Sequence, residues 1–338
     1  MSNRLEALFY GLGSDGTVSA AKNNIKIIGN STPLHAQGYF VYDSKKAGGL
    51  TVSHLRVRET PIHSAYLVEQ ADFIGCHQWQ FIERYQMVER LRPGGIFLLN
   101  TPYAADEAWV RLPQEVQALL NARQAKLYVI NAARIARQYR LGARINTVMQ
   151  MAFLHLSGLI PNGGALPLLQ DAIALSYANK GQEIIERNWQ ALGAVESALY
   201  AVPLRPVDTA SPRRPPIVAD QAPDFVKAVT ATMLAGLGDS LPVSAFPPDG
   251  TWPVGTTRWE KRNIAETIPI WQPASVPSVT TVSPPAPTRR SAPRWSHPRR
   301  WSTRRPRWKA WRSAPAICAA SAMCCRLRPK TAPAATFV

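Results

Sequence analysis

The stretch Ala7-Leu8-Phe9-Tyr10-Gly11-Leu12-Gly13-Ser14-Asp15-Gly16-Thr17 decides the fold class of this chain. Its first four residues are apolar and predict a short buried strand, and residues 17–28 can form a helix. The three glycines between them let the backbone turn tightly and approach a ligand closely. A strand, a glycine loop and a helix in this order indicate the first unit of an α/β sheet.

Short apolar runs continue along the chain and alternate with helical stretches. The predicted strands cover 39–43, 50–55, 73–76, 96–100 and 127–131, and predicted helices cover 80–91, 112–125, 145–156 and 168–200. The runs are almost wholly apolar, which is typical of strands whose two faces are both covered. We therefore predict an α/β domain over residues 1–200, with a Rossmann-like, mostly parallel sheet and flanking helices.

Beyond residue 200 the composition predicts three further segments. Residues 201–220 contain five prolines and are predicted to be a linker. Residues 221–271 are predicted to form a small irregular module with a helix near 225–237. Residues 272–338 are predicted to be a disordered tail, because the last 65 residues contain ten prolines, no acidic residue and no apolar periodicity.

The net charge of +17 is concentrated in this tail. Residues 274–338 hold 13 of the 39 Lys and Arg residues and no acid, so the other 26 stand against all 22 acidic residues. The body is therefore only mildly basic. Arginine pairs interleaved with four tryptophans would suit a nucleic-acid arm, but unselected disordered sequence explains them better, and we do not expect nucleic acid as a partner.

The number of cysteines and the length of the apolar runs indicate the cellular compartment of the protein. Cys76 is the only cysteine in residues 1–273, which suits a reducing cytoplasm, and the spacing of Cys318, Cys324 and Cys325 is poor for a metal site. No apolar run approaches about 18 residues, and the start has no signal-peptide pattern. We expect a cytoplasmic protein with no metal site and no membrane partner.

The glycine pattern Gly11-x-Gly13-x-x-Gly16 admits three interpretations. The first is a phosphate or other anion site at the helix N-terminus, where amides and the helix dipole attract negative charge. A dinucleotide site would need an acid about 20 residues further on, and Asp43 follows Gly16 by 27 residues. A purely structural turn is the third. The segment 44–49, with Lys45 and Lys46, is either a second anion loop or a solvated turn.

Other candidates lie where predicted elements end. Cys76-His77 ends a strand, but a lone buried cysteine is more often a small core residue, and we predict no catalytic residue. Asn100, Arg144 and Asn146 also lie at element ends, where α/β proteins place ligand contacts. Their alternative roles are helix capping and surface ion pairing. The residues alone therefore indicate an anion loop and name no reaction.

Several segments resemble one enzyme family. Residues 9–18, 21–29 and 42–56 closely resemble the gamma module of the pyruvate:ferredoxin (flavodoxin) oxidoreductases, and 76–78, 93–102 and 144–150 continue the match. Trp259-Glu260-Lys261-Arg262-Asn263-Ile264-Ala265 resembles the Glu-Lys-Arg module that follows it in the family. The likeness covers about residues 1–271 in family order. Ser19-Ala20-Ala21 departs from the family pattern.

The resemblance implies a reaction. The family decarboxylates a 2-oxo acid, usually pyruvate, on thiamine diphosphate, passes electrons through [4Fe–4S] clusters to ferredoxin or flavodoxin, and transfers the acyl group to coenzyme A. Its gamma module helps to build the coenzyme A side, and the thiamine-binding modules lie outside this chain. The resemblance implies that Gly11, Gly13, Ser14, Asp15, Gly16 and Thr17, with Lys45 or Lys46, face the phosphates of coenzyme A. Together with Asn100, Arg144 and Asn146 at the element ends, these residues are the predicted cofactor contacts.

The tail has a specific interpretation at the level of codons. The family continues into a ferredoxin-like module whose cysteines follow a C-x2-C-x2-C-x3-C-P pattern. Synonymous codons for residues 274–287, translated from the third base of the Ala274 codon, yield Leu-Cys-Thr-Gln-Cys-Asn-His-Cys-Val-Ser-Ala-Cys-Pro. The same offset at 329–336 yields the start of a second run. We hypothesise a frameshift near 272–274, which the gene sequence would test.

Three functions follow from these observations. The first is a fragment of the oxidoreductase, inactive alone, whose partners are the remaining modules and, for the parent enzyme, ferredoxin or flavodoxin. The second is a non-catalytic gamma-type subunit that docks with separate thiamine-binding and ferredoxin-like subunits. The third is a stand-alone nucleotide-binding protein, which measured NAD affinity would support.

Overall fold

The computed structural model describes residues 5–43, 49–161 and 163–260, together with the backbone of Thr267–Trp271 and Cys325–Pro329. The chain divides into two compact units, residues 1–262 and 263–338. The first unit contains the α/β domain. In the second, β8 (Thr267–Trp271) pairs antiparallel with β9 (Cys325–Pro329). Apart from β9, the predicted disorder of 272–338 lies outside the described residues.

A seven-stranded sheet forms the centre of the described first unit, in the order β2-β3-β1-β4-β5-β6-β7. Strands β1, β4, β5 and β6 are parallel, whereas β2, β3 and β7 run antiparallel to their neighbours. The strands are β1 Leu5–Leu12, β2 His35–Tyr42, β3 Leu50–Arg58, β4 Ala71–Cys76, β5 Leu91–Asn100, β6 Lys126–Ile130 and β7 Leu199–Val202.

Helices cover both faces of this sheet. They are α1 Thr17–Ser31, α2 Phe81–Arg84, α3 Ala105–Arg111, α4 Gln114–Ala122, α5 Ala132–Gln138, α6 Asn146–Ser157, α7 Ala165–Tyr177, α8 Gln182–Gly193, α9 Val195–Ala198 and α10 Ala231–Leu234. Short 3-10 turns cover Val88–Arg90, Ala178–Lys180, Gly238–Ser240, Val243–Ala245 and Thr256–Trp259, and a π turn covers Val226–Thr230. The predicted α/β class with flanking helices is confirmed.

Alternation along β1 explains the two layers. Ala7 and Phe9 face the helices α1 and α5 to α9, whereas Leu8 and Tyr10 face α2, α3 and α4. Successive side chains of a strand point to opposite faces, so an almost wholly apolar strand needs cover on both. Both helical layers are therefore required by the composition of the central strands.

The short loop between β2 and β3 determines that these two strands pair antiparallel. Residues 43–49 join the two strands, and a parallel pair would need a crossover of a dozen residues or more. The pair is therefore an antiparallel hairpin, and the parallel part of the sheet is confined to β1, β4, β5 and β6. The sequence-based strand at 39–43 also began too late, since β2 begins at His35.

Two predicted helices differ from the structure. The helix predicted over 80–91 ends at Arg84, where Tyr85 takes an extended conformation, and Leu91 begins β5. The helix predicted over 168–200 is divided between α7 and α8, because Gly181 has a φ of 92°. The first break returns the chain to the sheet at β5, and the second lets α8 pack against α7.

The proline-rich segment predicted as a linker lies along α4 in a fixed path. The Gln117 side-chain amide donates to Trp109 O, Leu112 O and Ser211 Oγ, and its oxygen accepts from Asp208 N. Gln114 Nε2 donates to Ser211 O at 2.7 Å. Amide side chains on one helix therefore satisfy the backbone of a segment that has no regular structure of its own.

The small module after this segment has a separate core. Val218, Ala222 and Val226 are buried together and Trp259 packs against them. The helix predicted over 225–237 is present as a continuous helical stretch from Asp224 to Leu234, in which Val226–Thr230 is a π turn and Ala231–Leu234 is α10.

Burial of His54 on β3 makes stability depend on pH. Burial, followed by the charges of Arg90 and Arg56, lowers the pKa of His54 to about 4, and its Nδ1 accepts from Val68 N at 3.1 Å. In the unfolded chain the His54 imidazole therefore binds a proton below about pH 6.5, whereas in the folded chain it stays neutral down to about pH 4. We expect the free energy of unfolding to fall by about 3 kcal/mol across this window.

Urea titrations between pH 7 and pH 4 would measure this dependence. His54→Gln should flatten it, whereas His35→Gln, which changes an exposed histidine at the start of β2, should leave it unchanged. Equal pH dependence in the wild type and His54→Gln would contradict the assignment.

Candidate functional site

The connections of the sheet place a crevice at the carboxyl ends of β1 and β4. From β1 the chain passes through α1 to the β2–β3 hairpin on one side of β1, and then crosses to β4 on the other side. Ligands of open α/β sheets bind where neighbouring connections diverge in this way. The glycine loop follows β1 and therefore lies at this point.

Two glycines of the loop are required by its geometry. A Cβ on Gly11 would lie 2.3 Å from Thr17 Oγ1, so the residue that starts α1 packs directly over the end of β1. Gly16 has a φ of 89°, and a Cβ there would lie 2.9 Å from Asn146 Cγ. Ser14 also adopts the left-handed region, with a φ of 73°. The loop is therefore a tight double turn that packs against the first residues of α1 and α6.

Asp15 occupies the inside of this turn. Its carboxylate accepts from the amides of Leu12 and Thr17, both at 2.8 Å, and Gly13 N donates to Gly49 O at 2.9 Å. A carboxylate at a helix N-terminus is favoured by the helix dipole. The loop therefore supplies its own anion, and the amides of Leu12, Gly13 and Thr17 are already bonded.

A buried hydrogen-bonded chain joins the loop to the neighbouring strand ends. Thr17 Oγ1 and His77 Nδ1 are 2.8 Å apart, and Asn100 Nδ2 donates to His77 O at 3.0 Å. Asn100 Oδ1 in turn accepts from Ala132 N. Both groups of the Asn100 amide are thus bonded within the protein, which favours a positioning role for this predicted contact residue.

Asn146 and Arg144 lie on the other side of the loop. Asn146 begins α6, and its side chain packs against Gly16, so a second helix N-terminus meets the loop that begins α1. Arg144, two residues earlier, is exposed. The structure therefore brings Asn146 and residues 11–17 together. Lys45 and Lys46 lie outside the described residues.

A groove of about 490 Å³ runs beside the loop. Lys22 Nζ lies 5.2 Å from the Phe40 ring, and none of the described ion pairs involves it. Sequence reasoning missed Ser19 and Lys22, although their i, i+3 spacing places both on one face of the predicted helix. The groove is lined by Leu12, Gly13, Ser14, Asp15, Gly16, Val18, Ser19, Lys22, Tyr42, Asp43, Gly49, Leu50 and Thr51.

Cys76 and His77 are both buried at the carboxyl end of β4. Burial raises the pKa of the Cys76 thiol to about 12, and its Sγ donates to Gln78 O. Burial lowers the pKa of His77, an effect that the Asp15 carboxylate partly opposes. A protonated thiol is a poor nucleophile, so these side chains hold the strand end and the loop in place.

Replacement of Gly16 tests the construction of the loop. Gly16→Ala should lower the free energy of unfolding by about 2 kcal/mol, because it forces a left-handed alanine and displaces Asn146. Gly29→Ala on α1 is the matched control, since a Cβ there meets nothing within 4 Å. That variant should be neutral or stabilising by up to about 1 kcal/mol. Equal urea midpoints for the two variants would contradict the strained geometry.

Within the described ranges, no group of three or more His, Cys, Asp or Glu side chains is placed to hold a metal ion. The helices of this part of the chain are all too short or too polar to cross a membrane.

Comparison with known families shows two matches. Residues 6–197 match the family described as pyruvate ferredoxin/flavodoxin oxidoreductase. Residues 211–265 match a domain of unknown function, designated EKR. The first match covers more than half of the chain.

Individual relatives agree with this family. The chain is 73% identical over 271 residues to a probable pyruvate-flavodoxin oxidoreductase of Escherichia coli K12, covering 80% of this chain and 23% of that protein. It is 48% identical over 265 residues to the pyruvate-flavodoxin oxidoreductase of Rhodospirillum rubrum, covering 78% and 22%. The chain thus spans less than a quarter of the length of these relatives.

Among solved structures, pyruvate oxidoreductase subunit PORC of Thermotoga maritima is similar with a TM-score of 0.48 and 20% identity. The match covers 60% of this chain and 99% of that subunit.

Proposed function

Because this chain belongs to the pyruvate ferredoxin/flavodoxin oxidoreductase family, we propose that it forms the coenzyme A side of a pyruvate-oxidising enzyme. In that reaction pyruvate and coenzyme A yield acetyl-coenzyme A, carbon dioxide and a proton, and two electrons pass to ferredoxin or flavodoxin. The groove between the glycine loop, α1 and the facing ends of β2 and β3 carries the proposal, since Ser19 and Lys22 of α1 line it beside the loop.

In this proposal, side chains that line the groove bind the phosphates of coenzyme A, and the backbone amides of the glycine loop do not. Asp15 already occupies the amides of Leu12 and Thr17, so these amides are not available for a phosphate. The Lys22 ammonium and the Ser19 hydroxyl line the groove and are groups that bind phosphate oxygens. We therefore assign phosphate binding to the exposed face of α1.

Iron–sulfur clusters do not fit the described residues, and the family resemblance places the thiamine diphosphate modules outside this chain. Cluster ligation requires several cysteine thiolates, and Cys76 is the one cysteine whose side chain is described, with its thiol buried and protonated. Decarboxylation and electron transfer therefore belong to other parts of the enzyme, and the chain alone should be inactive. The partners in this proposal are those remaining modules, with ferredoxin or flavodoxin as electron acceptor.

A gamma-type subunit is the second candidate. The α/β unit covers both faces of its sheet with its own helices, which favours a body that folds without a covalent link to other modules. Neighbouring genes for thiamine-binding and ferredoxin-like subunits would support this candidate. Cluster-binding codons in the shifted frame of residues 274–338 would support a single parent chain instead.

Calorimetric titration of the full chain with coenzyme A tests the proposal. We expect binding, and we expect Lys22→Met to weaken it by about tenfold, because a charge-assisted hydrogen bond is lost. Lys126→Met, which changes an exposed lysine at the start of β6, should leave the affinity unchanged. Absence of binding, or equal affinities for both variants, would overturn the assignment, and pyruvate decarboxylation by the chain alone would contradict its inactivity.

A further inference from the structure

The connection from β4 to β5 has little regular structure. Its segment Phe81–Arg90 consists of the four-residue helix α2 and, after a short extended stretch, the 3-10 turn Val88–Arg90. The last four carbonyl groups of a helix have no partners within it, so the carbonyls of so short a helix need donors from elsewhere. The buried side chains of this segment are Phe81, Ile82, Met87 and Val88.

Arg214 supplies such donors from a distant part of the chain. Its Nε donates to Ile82 O at 3.2 Å, across 132 positions of sequence, and its Nη1 pairs with Glu89 Oε1 at 2.6 Å. Its backbone amide donates to Glu115 Oε2 on α4 at 3.0 Å. Only 18% of the Arg214 side chain and 28% of the Glu89 side chain are exposed. One residue therefore joins α2, the 3-10 turn and α4.

Arg214 lies at the start of the domain of unknown function that matches residues 211–265, which we call the EKR segment. Close to Arg214, the buried Ser211 hydroxyl donates to a carbonyl of α3 at 2.7 Å. Further along the EKR segment, Trp252 lines a groove of about 610 Å³ that Tyr85 also lines. The EKR segment therefore binds residues 81–90 through Arg214 and faces them again across this groove.

The far end of residues 81–90 reaches the central strand of the sheet. Burial raises the pKa of the Tyr10 phenol on β1 to about 12, while the charge of Arg90, which hydrogen-bonds to this phenol, opposes the rise. The Tyr10 carbonyl accepts from His77 N at 3.0 Å, and Gly11 follows directly. The position of residues 81–90 is thus connected to the strand end at which the glycine loop begins.

We propose that the EKR segment is a latch that holds residues 81–90 against the sheet, with Arg214 as the positioning residue. The backbone hydrogen bonds within residues 81–90 are local, such as Tyr85 N to Phe81 O and Arg90 N to Met87 O. Segments of this kind open at a lower free energy than the strands of a sheet. The inference goes beyond the proposed function, because it concerns no ligand.

Hydrogen–deuterium exchange of the full chain, followed by mass spectrometry, tests the latch. In Arg214→Met, peptides covering residues 81–90 should exchange about tenfold faster than in the wild type, because hydrogen bonds from a charged group are lost. Peptides covering β6 should exchange as in the wild type.

The His54 imidazole provides a second measurement. Burial, followed by the charges of Arg90 and Arg56, lowers the pKa of His54 to about 4. If Arg214→Met releases residues 81–90, Arg90 moves away from His54, and NMR titration should give a higher His54 pKa than in the wild type. A general loss of stability without movement of Arg90 leaves this pKa unchanged.

Three further variants separate the latch from unspecific effects. Arg213→Met changes the exposed neighbour of Arg214 and should alter neither measurement. Arg214→Lys keeps a positive charge opposite Glu89 and should restore part of the protection over residues 81–90. Glu89→Gln removes the charge from the partner and should accelerate the same peptides, which keeps the test decisive if Arg214→Met does not fold.

The outcomes are distinct. Faster exchange confined to residues 81–90, with a raised His54 pKa, would support the latch. Unchanged exchange of these residues in Arg214→Met and Glu89→Gln would overturn it. Equal acceleration over residues 81–90 and β6 would also overturn it, since this would show only a general loss of stability. Neither measurement involves coenzyme A, so the latch and the proposed function can fail independently.

Discussion

Replacing Glu6 with alanine should lower the free energy of unfolding by about 3–5 kcal/mol, because it leaves a buried guanidinium without its partner. Glu6 Oε1 accepts from Arg56 Nε at 3.2 Å. Only 6% of the Glu6 side chain and 4% of the Arg56 side chain are exposed. Arg58 and Arg92 pair with the same carboxylate. One carboxylate at the start of β1 therefore pairs with three cations from β3 and β5, of which Arg92 also pairs with Asp72 at 2.8 Å.

Urea denaturation followed by circular dichroism would measure this loss. Glu107→Ala is the matched control, because Glu107 and Arg111 form a pair 3.7 Å apart in which both side chains are about half exposed. An exposed pair of this kind contributes at most about 0.5 kcal/mol. The double variant Glu6→Leu, Arg56→Met should recover part of the stability, since it removes both charges. Similar losses for Glu6→Ala and Glu107→Ala would contradict the role of burial.

Replacing Phe153 with alanine should also cost about 3–5 kcal/mol, because it opens a cavity in the larger core. Phe153 lies on α6 and meets Phe9 and Phe73 edge-on, with ring centroids 4.9 Å away in both cases. These contacts join α6 to β1 and β4. The same helix places Asn146 against Gly16, so the variant should weaken coenzyme A binding as well.

Leu175→Ala provides the comparison for Phe153→Ala. Leu175 lies on α7 and is 83% exposed, so its truncation should change the free energy of unfolding by less than about 0.5 kcal/mol. Urea midpoints of the two variants test the cavity, and calorimetric affinities for coenzyme A test its effect on the loop. A destabilised Phe153→Ala with wild-type affinity would show that the loop is held independently of α6.

Local sequence patterns were sufficient to predict β1, the glycine loop and α1. The apolar run Ala7–Tyr10 and the glycines at 11, 13 and 16 depend on backbone sterics and strand alternation, which act between neighbouring residues. The predicted strand, loop and first helix therefore agree with β1 and α1. The same reasoning failed over 80–91, where tertiary contacts and not helix propensity decide that the chain bends into β5 at Leu91.

The cofactor contacts themselves remain predictions, but the structure shows which of the predicted residues lie near one another. Residues 11–17 and Asn146 meet, Asn100 is bonded within the protein, and Lys45 and Lys46 fall outside the described residues. The spacing of the glycines could not reveal that Asp15 would occupy the helix N-terminus. A carboxylate in such a loop can face solvent or fold back onto the amides, and in the folded chain it accepts from the amides of Leu12 and Thr17.

The amino-acid order alone was enough for the α/β class, the glycine turn and the family, because these depend on short-range periodicity and on a set of contiguous motifs. The fixed path of 202–220 along α4 and a groove lined by both Tyr85 and Trp252 emerged only from the folded chain. Both features join residues between 80 and about 170 positions apart. Contacts at such separations leave no periodic signal in the sequence, since they form only when the core brings distant segments together.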